Sequence, residues 1–202
     1  MRQIALPLAA RSCGPARIVL GGANAHIAAA LAEPANWPFH TAVLTGPARS
    51  GKSLFARWFA STHAAYVADD AHRLEEEEIF HRWNLAQEKR RPLLLVAGEP
   101  PWTIRLPDLA SRLAGSLQLE VGPLDDRMAS ELLSSLADER GLLLGEGAAD
   151  YIVPRAVRSY AGLERLAAEI DRLSLERKAA PGMAIWRAAL EAMHGPEEPR
   201  LL

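Results

Sequence analysis

A chain of 202 residues with 49% apolar and 24% charged side chains can bury a sizeable core, as one domain plus a small appendage. A formal net charge of −2 and a pI near 6.3 exclude a protein whose main work is neutralising many phosphates of duplex DNA, so any contact with DNA is expected to be indirect. The lone Cys13 excludes an internal disulfide, and no CxxC or paired-histidine spacing marks a metal site. No apolar run approaches the roughly 20 residues of a membrane span, and there is no basic-then-apolar leader, so a reducing cytoplasm and no membrane partner are expected.

Residues 1–15, MRQIALPLAARSCGP, hold an apolar cluster between two prolines with no sustained helical period, and read as an extended arm. The alanine-rich stretch 25–31 predicts a helix, which EPANWP then interrupts because proline lacks an amide donor and disfavours helix in the residue before it. TAVLT at 41–45 is a short apolar run with β-branched members bounded by glycine and proline, which predicts a buried strand. A helix is predicted over 52–61, a second strand over 65–68 (AYVA), a helix over 74–89 with Ile79 and Trp83 on its apolar face, and a third strand over 92–97 (PLLLVA).

Strands alternating with helices imply right-handed crossovers and a mostly parallel sheet covered on both faces. EEEE at 75–78 reads as a solvated helix start favoured by the macrodipole. After a break at Gly122-Pro123 only helical patterns remain, at 127–140, 146–159, 162–176 and 183–193. The expected organisation is an arm at 1–15, an α/β nucleotide-binding domain at 16–122, a helical lid at 123–195 and a frayed tail at 196–202.

GPARSGKS, from Gly46 to Ser53, fits the pattern GxxxxGK[ST] between a predicted strand and a predicted helix. There Gly46 and Gly51 let the backbone wrap phosphates with its amides turned inward, and the following helix aims its positive end at them. Lys52 is expected to reach the β- and γ-phosphates and Ser53 to ligate Mg2+. The next apolar strand ends in Asp69 and Asp70. Asp69 is expected to hold Mg2+ through water, and Asp70 to orient or deprotonate an attacking water. Taken alone, two aspartates after four apolar residues read by default as a surface turn.

IVLGGANAHIAAALAEP, LTGPARSGKS, AYVADDAHRL, IFHRWNLAQEKRRPLLLVAGEPP, LASRLAGSLQLEVGPLDDR and DRLSLERKAA together resemble the nucleotide-binding part of the bacterial replication initiator DnaA. The resemblance is to its short relatives in particular, the Hda-type regulatory inactivators, since the initiator's C-terminal DNA-binding helices have no room after Leu202. It spans about 18–190. It implies an AAA+ P-loop NTPase fold, a three-layer α/β/α domain with a parallel sheet followed by a small all-helical lid, holding ADP or ATP with Mg2+. It also implies nucleotide contacts from Ile18, Val19, Gly21 and Asn24, and from Gly46, Pro47, Ala48, Arg49, Ser50, Gly51, Lys52, Ser53 and Leu54.

Within the arm, Gln3, Ile4, Leu6, Pro7 and Leu8 resemble the peptide by which Hda-type proteins bind the DNA polymerase sliding clamp. An extended segment held open by Pro7, with Leu6 and Leu8 filling an apolar pocket and Gln3 making directed hydrogen bonds, suits such docking. By itself the peptide fits an edge strand or a packed terminus as well. Arg112 falls on the family's arginine-finger position, which serves the nucleotide of a neighbouring subunit; its other reading is a helix-surface arginine with a local carboxylate partner. The expected neighbour is ATP-bound DnaA, and self-association is left open.

Two positions depart from the family pattern. Ala97 and Gly98 stand where many relatives place a polar sensor, so hydrolysis by the chain itself is expected to be weak. In the lid, the family's γ-phosphate-sensing arginine falls near Ala161, and Arg158, about one helical turn earlier, is its candidate substitute. The alternative to a replication regulator is a self-sufficient P-loop ATPase, or a small-molecule kinase unrelated to the clamp. A kinase needs a second pocket with acceptor-binding groups, whereas the segment after Gly122 reads as a lid.

Overall fold

The computed structural model describes residues 18–194; the arm predicted at 1–15, with its candidate clamp-binding residues, and the tail at 196–202 lie outside them. The chain divides into two compact units, one ending at Pro123 and the other starting at Leu124.

In the first unit α1 (Ala25–Ala32) leads through two 3-10 turns to β1 (Thr41–Thr45), α2 (Lys52–Thr62) and β2 (Tyr66–Ala68), then to α3 (Glu76–Lys89), β3 (Leu93–Val96), α4 (Pro107–Ala114) and β4 (Leu117–Glu120). The strands form one parallel sheet in the order β2-β3-β1-β4. Ala42, Val43 and Leu44 of β1 and all four residues of β3 are buried, as expected of central strands packed on both faces, which is why they read as unbroken apolar runs. Val43, Leu93 and Leu95 pack with Ile79 and Ala86 of α3 and Leu109 and Leu113 of α4. The pleat turns Ala42, Leu44 and Leu94 to the opposite face, the side of α2, whose Phe55 and Phe59 are fully buried. Truncating one such leucine to alanine costs about 2–5 kcal/mol.

Three features depart from the sequence expectation. A fourth strand, β4, runs where none was predicted; its LQLE alternates between half-buried or buried leucines and exposed polar residues, the pattern of an edge strand rather than a central one. The helix predicted from residue 74 begins at Glu76, because residues 71–73 form a separate 3-10 turn. The glutamate run is also more than a solvated face. The Glu76 carboxylate accepts from the backbone amides of Arg105 (2.9 and 3.1 Å) and Leu106 (2.6 Å), tying the start of α3 to the residue that precedes α4.

The second unit is all helical: α5 (Asp126–Glu139), α6 (Ala148–Ile152), α7 (Tyr160–Arg177) and α8 (Met183–His194). Leu163, Leu166, Ala167, Ile170 and Leu173 give α7 a buried stripe at helical spacing. The Asp125 side chain caps α5 by accepting from the Met128 amide at 2.7 Å, and Ser159 caps α7 through the Gly162 amide at 3.0 Å. The single helix predicted over 146–159 is broken: α6 is five residues long and a 3-10 turn carries Pro154, whose ring and missing amide stop an α-helix. Tyr160 is buried, and its phenol is pushed up to about 12 by that burial and then by Asp125. No helix among the described residues is long and apolar enough to cross a membrane.

Candidate nucleotide-binding site

Because the sheet is wholly parallel, the C-terminal ends of its strands share one edge, where α/β sheets bind ligands. β1 runs into the glycine-rich loop, β2 into Asp69-Asp70, β3 into Gly98-Glu99 and β4 into Val121-Gly122. The P-loop strand β1 and the acidic strand β2 are not neighbours; β3 lies between them, the arrangement of additional-strand P-loop ATPases expected from the sequence.

The loop is shaped by backbone that side chains tolerate poorly. Gly46 has φ +142° and a Cβ there would stand 2.8 Å from the Val121 Cβ, while Gly51 has φ +86°. Arg49 is also left-handed, at φ +64°. Gly51 is the N-cap of α2, so Lys52, Ser53 and Leu54 fall in that helix's first turn, where free amides and the macrodipole favour an anion. Pro47 is half-buried, and Ala48, Arg49 and Ser53 are exposed. The Ser50 hydroxyl is buried with no hydrogen-bond partner among the described residues, which costs about 1–3 kcal/mol unless a ligand satisfies it. Lys52 Nζ donates to the carbonyls of Gly46 and Pro47, each at 2.7 Å. Burial lowers its pKa below the ordinary lysine value, opposed by the charges of Glu99, Asp69 and Asp70.

Those three carboxylates follow the C-terminal ends of β2 and β3, on the sheet edge that the P-loop shares. Asp70 sits at φ +53°, a left-handed conformation that aspartate tolerates better than most residues but that still stores strain; its amide donates to Asp69 Oδ1 at 3.1 Å. Glu99 was not singled out from sequence, and the signal that marks it is a carboxylate just past the C-terminal end of a central parallel strand. The Gly98 carbonyl accepts from the Gly46 amide at 3.1 Å, joining the third strand's end to the loop. The His72 ring lies 3.7 Å from where a Gly98 Cβ would be.

Residues 18–24 reach the same edge through β4, for the Gly122 amide donates to the Ala23 carbonyl at 2.9 Å. Ile18 and Val19 are buried there. Asn24 accepts from the Gly21 amide at 3.0 Å and donates to the Val19 carbonyl at 2.9 Å, so its amide is committed to shaping this segment. A nucleoside di- or triphosphate with Mg2+ fits the residues present. The loop cradles without a Cβ in the way, an orphaned hydroxyl and a cationic amine face it, and Asp69, Asp70, Glu99 and Ser53 supply oxygen ligands of the hard kind magnesium takes.

Arg112 lies elsewhere. It is in the last turn of α4, just before β4 begins, and so at the N-terminal end of the sheet. β1 has five residues and spans about 16 Å at roughly 3.3 Å per residue, which separates Arg112 from the chain's own P-loop. Its guanidinium carbon stands 4.4 Å from the Phe80 ring centroid and 4.3 Å from that of Trp83, and Nη1 donates to the Asn84 side-chain oxygen. Among the described residues no carboxylate holds it. Arg158, in the second unit, forms an exposed ion pair with Asp126 at 3.0 Å, just before the Ser159 cap of α7.

Fold and loop together give a P-loop domain with the AAA+ fold, followed by a helical unit. No family model matches the sequence, but solved structures share the architecture. Domain III of the Thermotoga maritima replication initiation protein DnaA superposes with a TM-score of 0.73 at 13% identity, over 88% of this chain and 95% of that one. A replication initiator DnaA bound to AMPPCP and single-stranded DNA gives 0.61 at 16% identity, over 79% and 66%. A variant of Thermotoga maritima RuvB gives 0.63 at 18% identity, over 86% and 70%.

Proposed function

We propose that the chain is an ADP/ATP-binding regulator of DNA replication initiation of the Hda type, which binds the sliding clamp and promotes hydrolysis of ATP held by DnaA. The observation that carries this reading is the placement of Arg112 at the end of the sheet opposite its own P-loop. From there it is presented outward, to the nucleotide of another subunit.

The nucleotide would be held by the loop from Gly46 to Ser53 and by the segment from Ile18 to Asn24, with Ser53 and Asp69 as candidate Mg2+ ligands. A Mg2+-nucleotide would supply phosphate oxygens to this loop, and Lys52, which now donates to the Gly46 and Pro47 carbonyls, would be the residue to bind them. Ala97 and Gly98 offer no polar side chain to position a water, which supports weak hydrolysis in the chain's own site. Arg112 supplies positive charge where it develops on the transferred phosphoryl group of the partner, an effect worth several powers of ten in rate for such fingers. Tethering to a DNA-loaded clamp raises the local concentration near DNA-bound initiator, so weak contacts with the partner suffice. Contact with DNA is indirect.

The test is a clamp pull-down of the intact chain in ADP, beside a variant with Gln3, Leu6 and Leu8 replaced by alanine. Retention lost on substitution supports the reading. If neither form is retained, the tether fails and a P-loop ATPase without a clamp partner is what stands.

A further inference from the structure

Arg112 is the one arginine among the described residues whose guanidinium stands within 4.5 Å of two aromatic ring centroids, and among those residues it forms no ion pair. The two rings and the amide that hold it come from one face of α3 at positions 80, 83 and 84, with Asn84 and Arg112 28 positions apart in the sequence. The choice of partners has an electrostatic consequence. A carboxylate would fix the guanidinium but cancel its charge and occupy its donor fork, whereas aromatic faces and an amide oxygen restrain it and leave the charge intact.

Trp83 meets Arg112 with its ring rather than its polar group. Its indole N–H is buried with no hydrogen-bond partner among the described residues, a cost that phenylalanine or leucine would not incur, while indole gives the strongest cation–π face. Phe39 extends the cluster, with its ring 6.2 Å from that of Trp83 although its backbone is left-handed at φ +51° and the residue is 55% exposed. Its carbonyl is held by the Thr41 hydroxyl at 2.8 Å and the Gln87 amide at 2.6 Å.

We infer that Phe80, Trp83 and Asn84 are positioning residues that hold Arg112 pre-oriented and uncompensated for a phosphate group presented by a partner subunit. This rests on the proposed trans action of Arg112 and adds that finger delivery depends on α3. The ordering entropy of a long, flexible side chain is then lost on folding rather than on docking. Asn84 is exposed, so its variants fold.

The experiment has two arms on the full chain. In the first, release of phosphate from ATP-loaded DnaA is measured with ADP and clamp loaded on DNA. Arg112→Ala serves as the reference for lost stimulation. Asn84→Asp should fall to that level, because the new carboxylate captures the guanidinium, and Trp83→Leu should fall at least tenfold, with Asn84→Ala between them and wild type. If Arg112→Ala loses stimulation while all three α3 variants match wild type, the positioning role is overturned and the trans finger stands.

The second arm needs no partner. In a 15N-arginine spectrum the Arg112 Nε–H signal, assigned by its loss in Arg112→Lys, should lie upfield of the exposed arginines under the two ring currents, and return to their position in Trp83→Leu. An Arg112 signal among the exposed arginines in the wild type overturns the positioning of Arg112 by α3, whatever the first arm shows. A displaced signal together with full stimulation by Arg112→Ala upholds the α3 contacts as a structural device and defeats the finger.

Discussion

Lys52 closes the P-loop on itself by donating to the Gly46 carbonyl across 2.7 Å, at the residue where β1 ends and the loop begins. The ammonium is half-buried and among the described residues has no hydrogen bond to a carboxylate; charged phosphate oxygens are stronger acceptors than the two carbonyls it now holds. Lys52→Ala should weaken Mg-ADP binding about 10- to 100-fold, from loss of a charged hydrogen bond of roughly 1.5–3 kcal/mol, with little change in thermal stability. Titration calorimetry checks this, and an unchanged Kd would remove Lys52 from the site.

The Glu76 carboxylate links α3 to the start of α4 through backbone amides, and those hydrogen bonds hold its pKa below the ordinary carboxylate value of 4.5. A depressed folded-state pKa gives stability that is present above the unfolded value and is lost as pH falls through the lowered one. Glu76→Gln should therefore melt below wild type at neutral pH, with the two Tm values converging as pH falls below the ordinary carboxylate value and through the lowered one. Parallel Tm curves across that range would show that the latch does not contribute through its charge.

Gly162 stands in the first turn of α7, where alanine is ordinarily about 1 kcal/mol better than glycine. Here a Cβ would lie 2.7 Å from the Val157 carbonyl oxygen and 2.8 Å from the capping Ser159 hydroxyl. Displacing both costs more than the propensity gain, so Gly162→Ala should destabilise by about 1–2 kcal/mol. Urea unfolding measures it, and a stabilised variant would mean the turn before α7 relaxes freely.

The parts of this molecule visible in the sequence are those whose signals are local. β1, the loop from Gly46 to Ser53 and the helix after it announce themselves by an apolar run, glycines and a lysine in one continuous stretch from Thr41 to Thr62, and their bounds agree with the structure to within a residue. β4 was missed because an edge strand needs only one apolar face, so LQLE looks like a polar turn. The helix read across Pro154 followed periodicity past a residue that cannot continue it. Glu99 and the surroundings of Arg112 were illegible for another reason: they exist only once the sheet brings the ends of distant strands together, or packs α4 against α3. Asn84 carries no mark of its role until Arg112 lies beside it.

The central claim is that Arg112 acts on a nucleotide outside this chain, and it is tested most directly by following where hydrolysis occurs. DnaA is loaded with γ-labelled ATP and freed of unbound nucleotide, then mixed with clamp on DNA and this chain in excess unlabelled ADP. Released label comes only from the partner's site. The expected result is rapid release with wild type and none above background with Arg112→Ala, although both bind ADP equally. Equal release with and without the Arg112 guanidinium would contradict it.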